Sequence, residues 1–197
     1  MTDFTFQATM FEKGGPGNTE NTVKIAKKFA DQLNIKDIVF ASTTGSTADK
    51  ILETFNPTIY NLICITHSFH FVVKGAKSMR QEFDETKIEN LKNKGIKVFS
   101  GTHSMAGIDR NIRMKFNQWN FVDLMGKFLR ENFSQGTKVC MEIASMAVDA
   151  GYIKDIEKDI ICIGGTGRGA DTVCLIKPAP TSMFDTLRVK AILAKPQ

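Results

Sequence analysis

The sequence predicts an α/β protein: a three-layer, mostly parallel (mixed) sheet with helices on both faces. Three observations carry this. Short apolar runs with β-branched residues, around 38–41, 60–66, 96–100 and 159–163, read as buried strands. Stretches of helical periodicity alternate with the strands through residue 100, as crossover connections in a parallel sheet require. The strands at 159–163 and 173–177 are joined only by a tight glycine-rich connection, so those two run antiparallel.

Taken in order, residues 4–11 alternate as a half-buried strand does, with Phe4, Phe6, Ala8 and Met10 on one parity. A loop over 12–18 leads to a helix capped by Asn18 or Thr19 and running to about Leu33, with Val23, Ala26, Ala30 and Leu33 on one stripe. The strand from Ile38 passes through Ser42-Thr43-Thr44-Gly45-Ser46-Thr47 into a helix ended by Asn56-Pro57. Strand 60–66 stops at Thr66-His67-Ser68. A loop of about fifteen residues follows, long enough to act as a functional cover.

A polar helix from Asp84 to Lys94 ends at Gly95, and strand 96–100 stops at Gly101-Thr102-His103-Ser104. A short basic helix over 107–117 and a second over 121–132 precede a third at 137–150, whose Ala, Met, Val and Ile content marks it as buried. Glu142, Ser145 and Asp149 share a stripe of this third helix. That stripe reads as its wetter face, or Glu142 pairs with Arg168. Residues 184–194 fit either a helix or an edge strand.

The composition sets the class. The 197 residues are 42% hydrophobic and 24% charged, enough for one domain over 1–197, with no fixed-period repeat and no dividing linker. The net charge of +5 is spread over single or paired lysines, such as Lys27-Lys28, which is a solvated basic surface and not a nucleic-acid footprint. No apolar run approaches twenty residues, and the first residues lack a basic start and apolar core, so no membrane span or secretory signal is expected. Cys64, Cys140, Cys162 and Cys174 lie far apart inside apolar segments, without zinc spacing. They read as buried thiols of a reducing, cytoplasmic protein.

Two stretches carry binding chemistry. A strand turning directly into a helix presents unpaired N–H groups and the positive end of the helix dipole at one spot. Ser42, Thr43, Thr44, Ser46 and Thr47 add hydroxyls there, and Gly45 allows close backbone approach, which suits a phosphate or another oxyanion; an ordinary hydroxyl-rich N-cap is the plainer reading. Gly165-Thr166-Gly167-Arg168-Gly169-Ala170 formally matches a dinucleotide fingerprint, but a strand follows where a helix must. As a hairpin it can still bring amides and Arg168 to an anion and form the second half of a pocket.

His67, His70 and His103 all fall at or just beyond strand ends. No carboxylate or thiol stands at ligand spacing beside them, so no metal site is assigned. His67 or His103 is a candidate general acid or base, with a pKa near working pH. Nucleophile-elbow, Walker and paired-carboxylate signatures are all missing from the sequence.

Ala41-Ser-Thr-Thr-Gly-Ser-Thr-Ala48, the two Thr-His-Ser strand ends, Lys138-Val-Cys-Met-Glu-Ile-Ala144, Asp149-Ala-Gly151 and Gly164-Gly-Thr-Gly-Arg-Gly-Ala-Asp-Thr172 together resemble a family of small stand-alone prokaryotic proteins. These look like the C-terminal (alpha/beta) domain of pyruvate kinase, and the likeness runs from about residue 18 to 196. His70 falls outside the pattern. In pyruvate kinase the corresponding domain is not catalytic, and its strand–loop–helix turn holds a phosphate of a sugar-phosphate effector. The resemblance therefore implies phosphate contacts from Ser42, Thr43, Thr44, Gly45, Ser46 and Thr47, and no kinase activity, since the catalytic barrel has no counterpart. The stand-alone relatives look like flavin mononucleotide (FMN) binders, which implies a phosphate pocket beside a loop carrying Phe69, Phe71 and Met79.

The expected function is binding of a phosphorylated small molecule, FMN first. Ser42–Thr47, His67, His103, Gly165, Thr166, Gly167, Arg168 and Gly169 are the binding residues. The alternatives are an enzyme acting on a phosphosugar with a histidine acid/base, or an effector-binding regulatory subunit. The oligomeric state stays open, a homo-oligomer included.

Overall fold

The computed structural model describes residues 5–71 and 82–197. The part of the expected cover loop that carries Met79, and residue Phe4, lie outside the described residues. Seven strands form one sheet: β1 (Thr9–Phe11), β2 (Asp37–Ala41), β3 (Asn61–His67), β4 (Lys97–Gly101), β5 (Ile160–Gly164), β6 (Thr172–Lys177) and β7 (Arg188–Pro196). Their order is β1-β7-β6-β5-β2-β3-β4. β5, β2, β3 and β4 run parallel to one another, and β1 runs parallel to β7. The tight connection makes β5 and β6 antiparallel, as the sequence requires, and β6 and β7 are antiparallel as well.

Both faces of the central strands are buried, which is why they read as continuous apolar runs. Alternate residues divide between two cores. Ile38, Phe40, Leu62 and Cys64 join α1 (Thr19–Gln32), α2 (Ser46–Thr54) and α3 (Glu85–Asn93) on one face. Val39, Ile63, Ile65, Cys162 and Cys174 meet α6 (Gln135–Asp149) on the other. The first two crossovers lie on one side of the sheet, and the return from β4 to β5 passes through α6 on the other. The connection therefore changes side at β2, between its neighbours β3 and β5. In an open α/β sheet, a crevice forms beyond the carboxyl ends of strands at such a point.

One local expectation is corrected and two are narrowed. The N-terminal strand is confined to Thr9–Phe11, because β1 is an edge strand that pairs with β7 at three positions. Phe6 packs edge-on to Phe29 at 6.0 Å instead of joining the ladder. The ambiguous 184–194 region is a 3₁₀ turn (Thr181–Thr186) followed by β7, an interior strand between β1 and β6, with Ala191 and Leu193 buried on one parity. α1 has Asn18 at its N-cap without a side-chain cap bond; Asn18 Nδ2 instead donates to the Lys13 carbonyl.

Two further helices, α4 (Ile108–Phe116) and α5 (Phe121–Asn132), sit between β4 and α6. Ser134 caps α6 by accepting from the Thr137 N–H at 3.0 Å, so α6 begins two residues earlier than its apolar pattern suggests. The four cysteines are free and buried, and burial pushes the thiols of Cys64, Cys140 and Cys162 up. Among the described residues, no helix is long and apolar enough to cross a membrane.

Candidate functional site

A small cleft of about 110 Å³ lies beyond the carboxyl ends of β2, β3 and β5. Its walls come from the hydroxyl loop (Ser42, Thr43, Thr47), the end of β3 (Thr66, His67), His103, and the glycine hairpin (Gly165, Gly167, Arg168, Gly169). Gln135 and Val139 of α6 also line it; Val139 belongs to the Lys138–Ala144 stretch, but neither was among the expected binding residues. Nine of the thirteen expected binding residues thus meet around one space. Thr44, Gly45, Ser46 and Thr166 belong to the same two loops but do not line it.

The hydroxyl loop is built by three constraints. The Ser42 N–H donates to the Ile65 carbonyl at 3.1 Å, which pins the loop to β3. Ser42 Oγ accepts from the Gly45 N–H at 3.1 Å, folding the turn. Gly45 then adopts φ 88° as the N-cap of α2, a left-handed conformation suited to glycine. A Cβ there would also lie 2.7 Å from the Phe83 ring. No side chain caps α2, so its first-turn N–H groups stand at the loop with the helix dipole behind them.

The glycine hairpin has a simpler reason for its composition than anion binding. A Cβ on Gly165 would lie 2.3 Å from the Gly169 carbonyl, and one on Gly169 would lie 2.3 Å from Pro16. These two glycines permit close backbone approach. The organiser of the hairpin is Asp171, fully buried, which sequence reading passed over. Its Oδ2 accepts from the Gly15 N–H at 2.8 Å and the Thr166 N–H at 3.1 Å, and its Oδ1 accepts from Thr172 Oγ1 at 2.8 Å.

Arg168 lines the cleft, but its fork is engaged by Glu82. Nε donates to Oε2 at 2.6 Å and Nη2 to Oε1 at 2.8 Å. The expected alternative of a Glu142–Arg168 pair is therefore corrected. The stripe containing Glu142 is not a wet face either: Glu142 and Ser145 are fully buried, and Asp149 accepts from the Thr181 N–H and hydroxyl.

Glu142 instead anchors a chain of polar groups that ends at the cleft. Its Oε2 lies 3.0 Å from His103 Nδ1, and its Oε1 accepts from the Met105 N–H at 3.1 Å and pairs with the buried Lys138 one turn earlier. His103 Nε2 lies 3.0 Å from His67 Nδ1. In the tautomer in which the Glu142 carboxylate accepts from His103 Nδ1–H and His103 Nε2 accepts from His67 Nδ1–H, the lone pair of the chain emerges at His67 Nε2. Ser100 Oγ donates to the His67 carbonyl at 2.6 Å, and the ring stacks on Phe71 at 3.9 Å.

Burial, with the charges of His103 and Arg110, lowers the His67 pKa to about 4, so the ring is neutral at pH 7. Burial alone would raise the Glu142 pKa, but the His103 hydrogen bond and the charges of His103 and Lys138 outweigh it and hold the carboxyl at about 2. Burial lowers the Lys138 pKa, with Glu142 opposing.

His103 also borders a second, wider cleft of about 390 Å³, walled by His70, Phe71, Arg110 and Met114 among others. The Arg110 guanidinium lies 5.7 Å from the Phe71 ring centre. Among the described residues, no group of three or more His, Cys, Asp or Glu side chains could hold a metal ion. Against known families, the model for the pyruvate kinase alpha/beta domain matches residues 20–176, from the start of α1 to the end of β6.

Proposed function

Because the chain belongs to the pyruvate kinase alpha/beta-domain family, we propose that it binds a phosphorylated small molecule across the two adjoining clefts, with FMN as the specific ligand. One observation carries the reading. A polar cleft of about 110 Å³ faces an uncapped helix N-terminus and shares His103 with a wider cleft of about 390 Å³ whose walls include Phe71 and Met114.

The division suits a ligand with a compact anionic end and a bulky planar end. The phosphate accepts from the first-turn N–H groups of α2 and the hydroxyls of Thr43 and Thr47, as anions do at helix N-termini. The isoalloxazine ring takes the wider cleft, with Phe71 and Met114 for apolar contact and Arg110 for its polar edge. The phosphate competes with the Glu82 carboxylate for the Arg168 fork, and charge-assisted bidentate contact favours the dianion.

The experiment is the visible absorption spectrum after incubation with FMN and desalting. Retained flavin bands in the parent protein, lost in Thr43→Glu with circular dichroism unchanged, support the reading. A colourless parent protein removes FMN.

A second reading is favoured by the Glu142–His103–His67 chain: an enzyme that moves a proton on a phosphosugar. Glu142 would orient His103, and His67 Nε2 would take the proton. The charge would then spread toward the buried carboxylate. Exchange of a carbon-bound hydrogen of a phosphosugar with deuterated solvent, abolished in His67→Asn, would establish it.

A further inference from the structure

The helix pair α4–α5 carries its polarity inside out. α5 buries Asp123 and Gly126 against the rest of the fold, and α4 has no fully buried residue. The Asp123 carboxylate is 8% exposed and meets Arg113 Nε at 3.2 Å. Gly126 faces the Lys138 stem, where a Cβ would lie 3.5 Å from Cε. Meanwhile Phe121 is 80% exposed, Phe128 62% and Leu124 49%. These three fall at i, i+3 and i+7, one stripe of a helix, and they wall a shallow apolar groove with Met125, Lys127 and Glu131. Trp119, whose ring centre lies 5.3 Å from Lys127 Nζ, adjoins this groove, and Ile108 and Phe116 of α4 are exposed as well. A helix that buries a carboxylate and shows two phenylalanines outward has its apolar side meant for something else.

We propose that this face is the interface of a homodimer, with α5 packed antiparallel on α5 of a second copy about a two-fold axis near Leu124. Two arguments select a second copy. The first is area. At about 150–250 Å² for a whole aromatic side chain, Trp119, Phe121, Leu124 and Phe128 expose on the order of 500 Å². That is more than half of the roughly 800 Å² each partner gives to a standard interface. The second is charge. The groove is flanked by both a cation and an anion, Lys127 and Glu131, 3.7 Å apart. A mixed rim of this kind is self-complementary under a two-fold axis, whereas an anionic lipid surface or a strongly charged peptide selects one sign. Phe121 and Phe128 stand about 10 Å apart along α5, so antiparallel crossing at Leu124 lets Phe121 of each copy meet Phe128 of the other.

α4 also contributes Arg110 and Met114 to the wider cleft, so the interface adjoins the ligand site on the same helix. The inference does not rest on the ligand assignment, because it is read from mass and not from binding.

The experiment is sedimentation equilibrium on the full chain, with Leu124→Cys as an independent probe. The native cysteines are buried and will not compete for cross-linking. The parent protein is expected to be a dimer at micromolar concentration. Phe121→Glu with Phe128→Glu should weaken dimerisation by at least about 100-fold, with circular dichroism unchanged. Mild oxidation of Leu124→Cys should give a disulfide-linked dimer in high yield. A parent protein that stays monomeric at 100 micromolar (on the order of a hundred-fold above the expected dissociation constant) overturns the proposal. So does a dimer that persists in the double variant while Leu124→Cys fails to cross-link, or binding of the monomer to anionic vesicles through this face.

Discussion

His103 Nε2 stands 3.0 Å from His67 Nδ1, and the other nitrogen of His103 is held 3.0 Å from a carboxylate that is fully buried. Two imidazoles are thereby linked head to tail, from the interior of α6 to the end of β3. Burial first, with neighbouring positive charge, keeps His67 neutral at pH 7 and gives the cleft wall an acid-sensitive point.

Stability should fall as pH drops from 6.5 toward 4. His67 has a folded pKa of about 4 against an ordinary 6.5, so in that window the unfolded chain binds more protons than the folded one. The stabilisation is complete above 6.5 and is lost through the folded value, with a slope of up to about 1.4 kcal/mol per pH unit. Urea melts from pH 8 to 4 should show this slope, and His67→Phe should flatten it.

The Lys138–Glu142 pair is buried on both sides, with the two side chains 3% and 0% exposed. Removing one partner leaves the other charge uncompensated. Glu142→Ala should cost about 3–5 kcal/mol, and Lys138→Met with Glu142→Leu together should cost much less than the two single changes added. A double-mutant cycle by chemical denaturation measures both.

Gly45→Ala is expected to cost about 2–4 kcal/mol, from the strain of φ 88° and from contact with the Phe83 ring and the Lys87 stem. In a chain of this size that lowers Tm by several degrees, about 2–4 °C per kcal/mol. An unchanged Tm would mean that the turn relaxes freely.

Glu82→Gln removes the carboxylate that occupies the Arg168 fork. FMN affinity should rise by about two- to five-fold, the modest gain expected for loss of a solvent-exposed competitor. Arg168→Ala should lower it. Titration by flavin fluorescence gives both values.

Much of the architecture was legible because local signals agreed with one another. Continuous apolar runs identified strands buried on both faces, and the hydroxyl loop and Thr-His-Ser strand ends met where the connection changes side. Polar roles were less legible, because they depend on what stands opposite. Glu142 lies on a helix dense with apolar residues, and its partners His103 and Met105 come from a distant loop. Asp171 looked like part of a glycine motif and is in fact the group that folds it. The glycines at 165 and 169 answer to packing against Gly169 and Pro16, contacts that no spacing rule reports. Short edge pairing hid the true length of β1 in the same way, since three ladder positions leave little trace in an alternating pattern.

The central claim is that the cleft recognises a phosphate at the start of α2. The most direct measurement is a paired titration with FMN and riboflavin, which differ only in that group. The account predicts that FMN binds and that riboflavin binds at least about 100-fold more weakly. Equal affinities, or no binding of FMN at millimolar concentration (on the order of the weakest specific association), would contradict it.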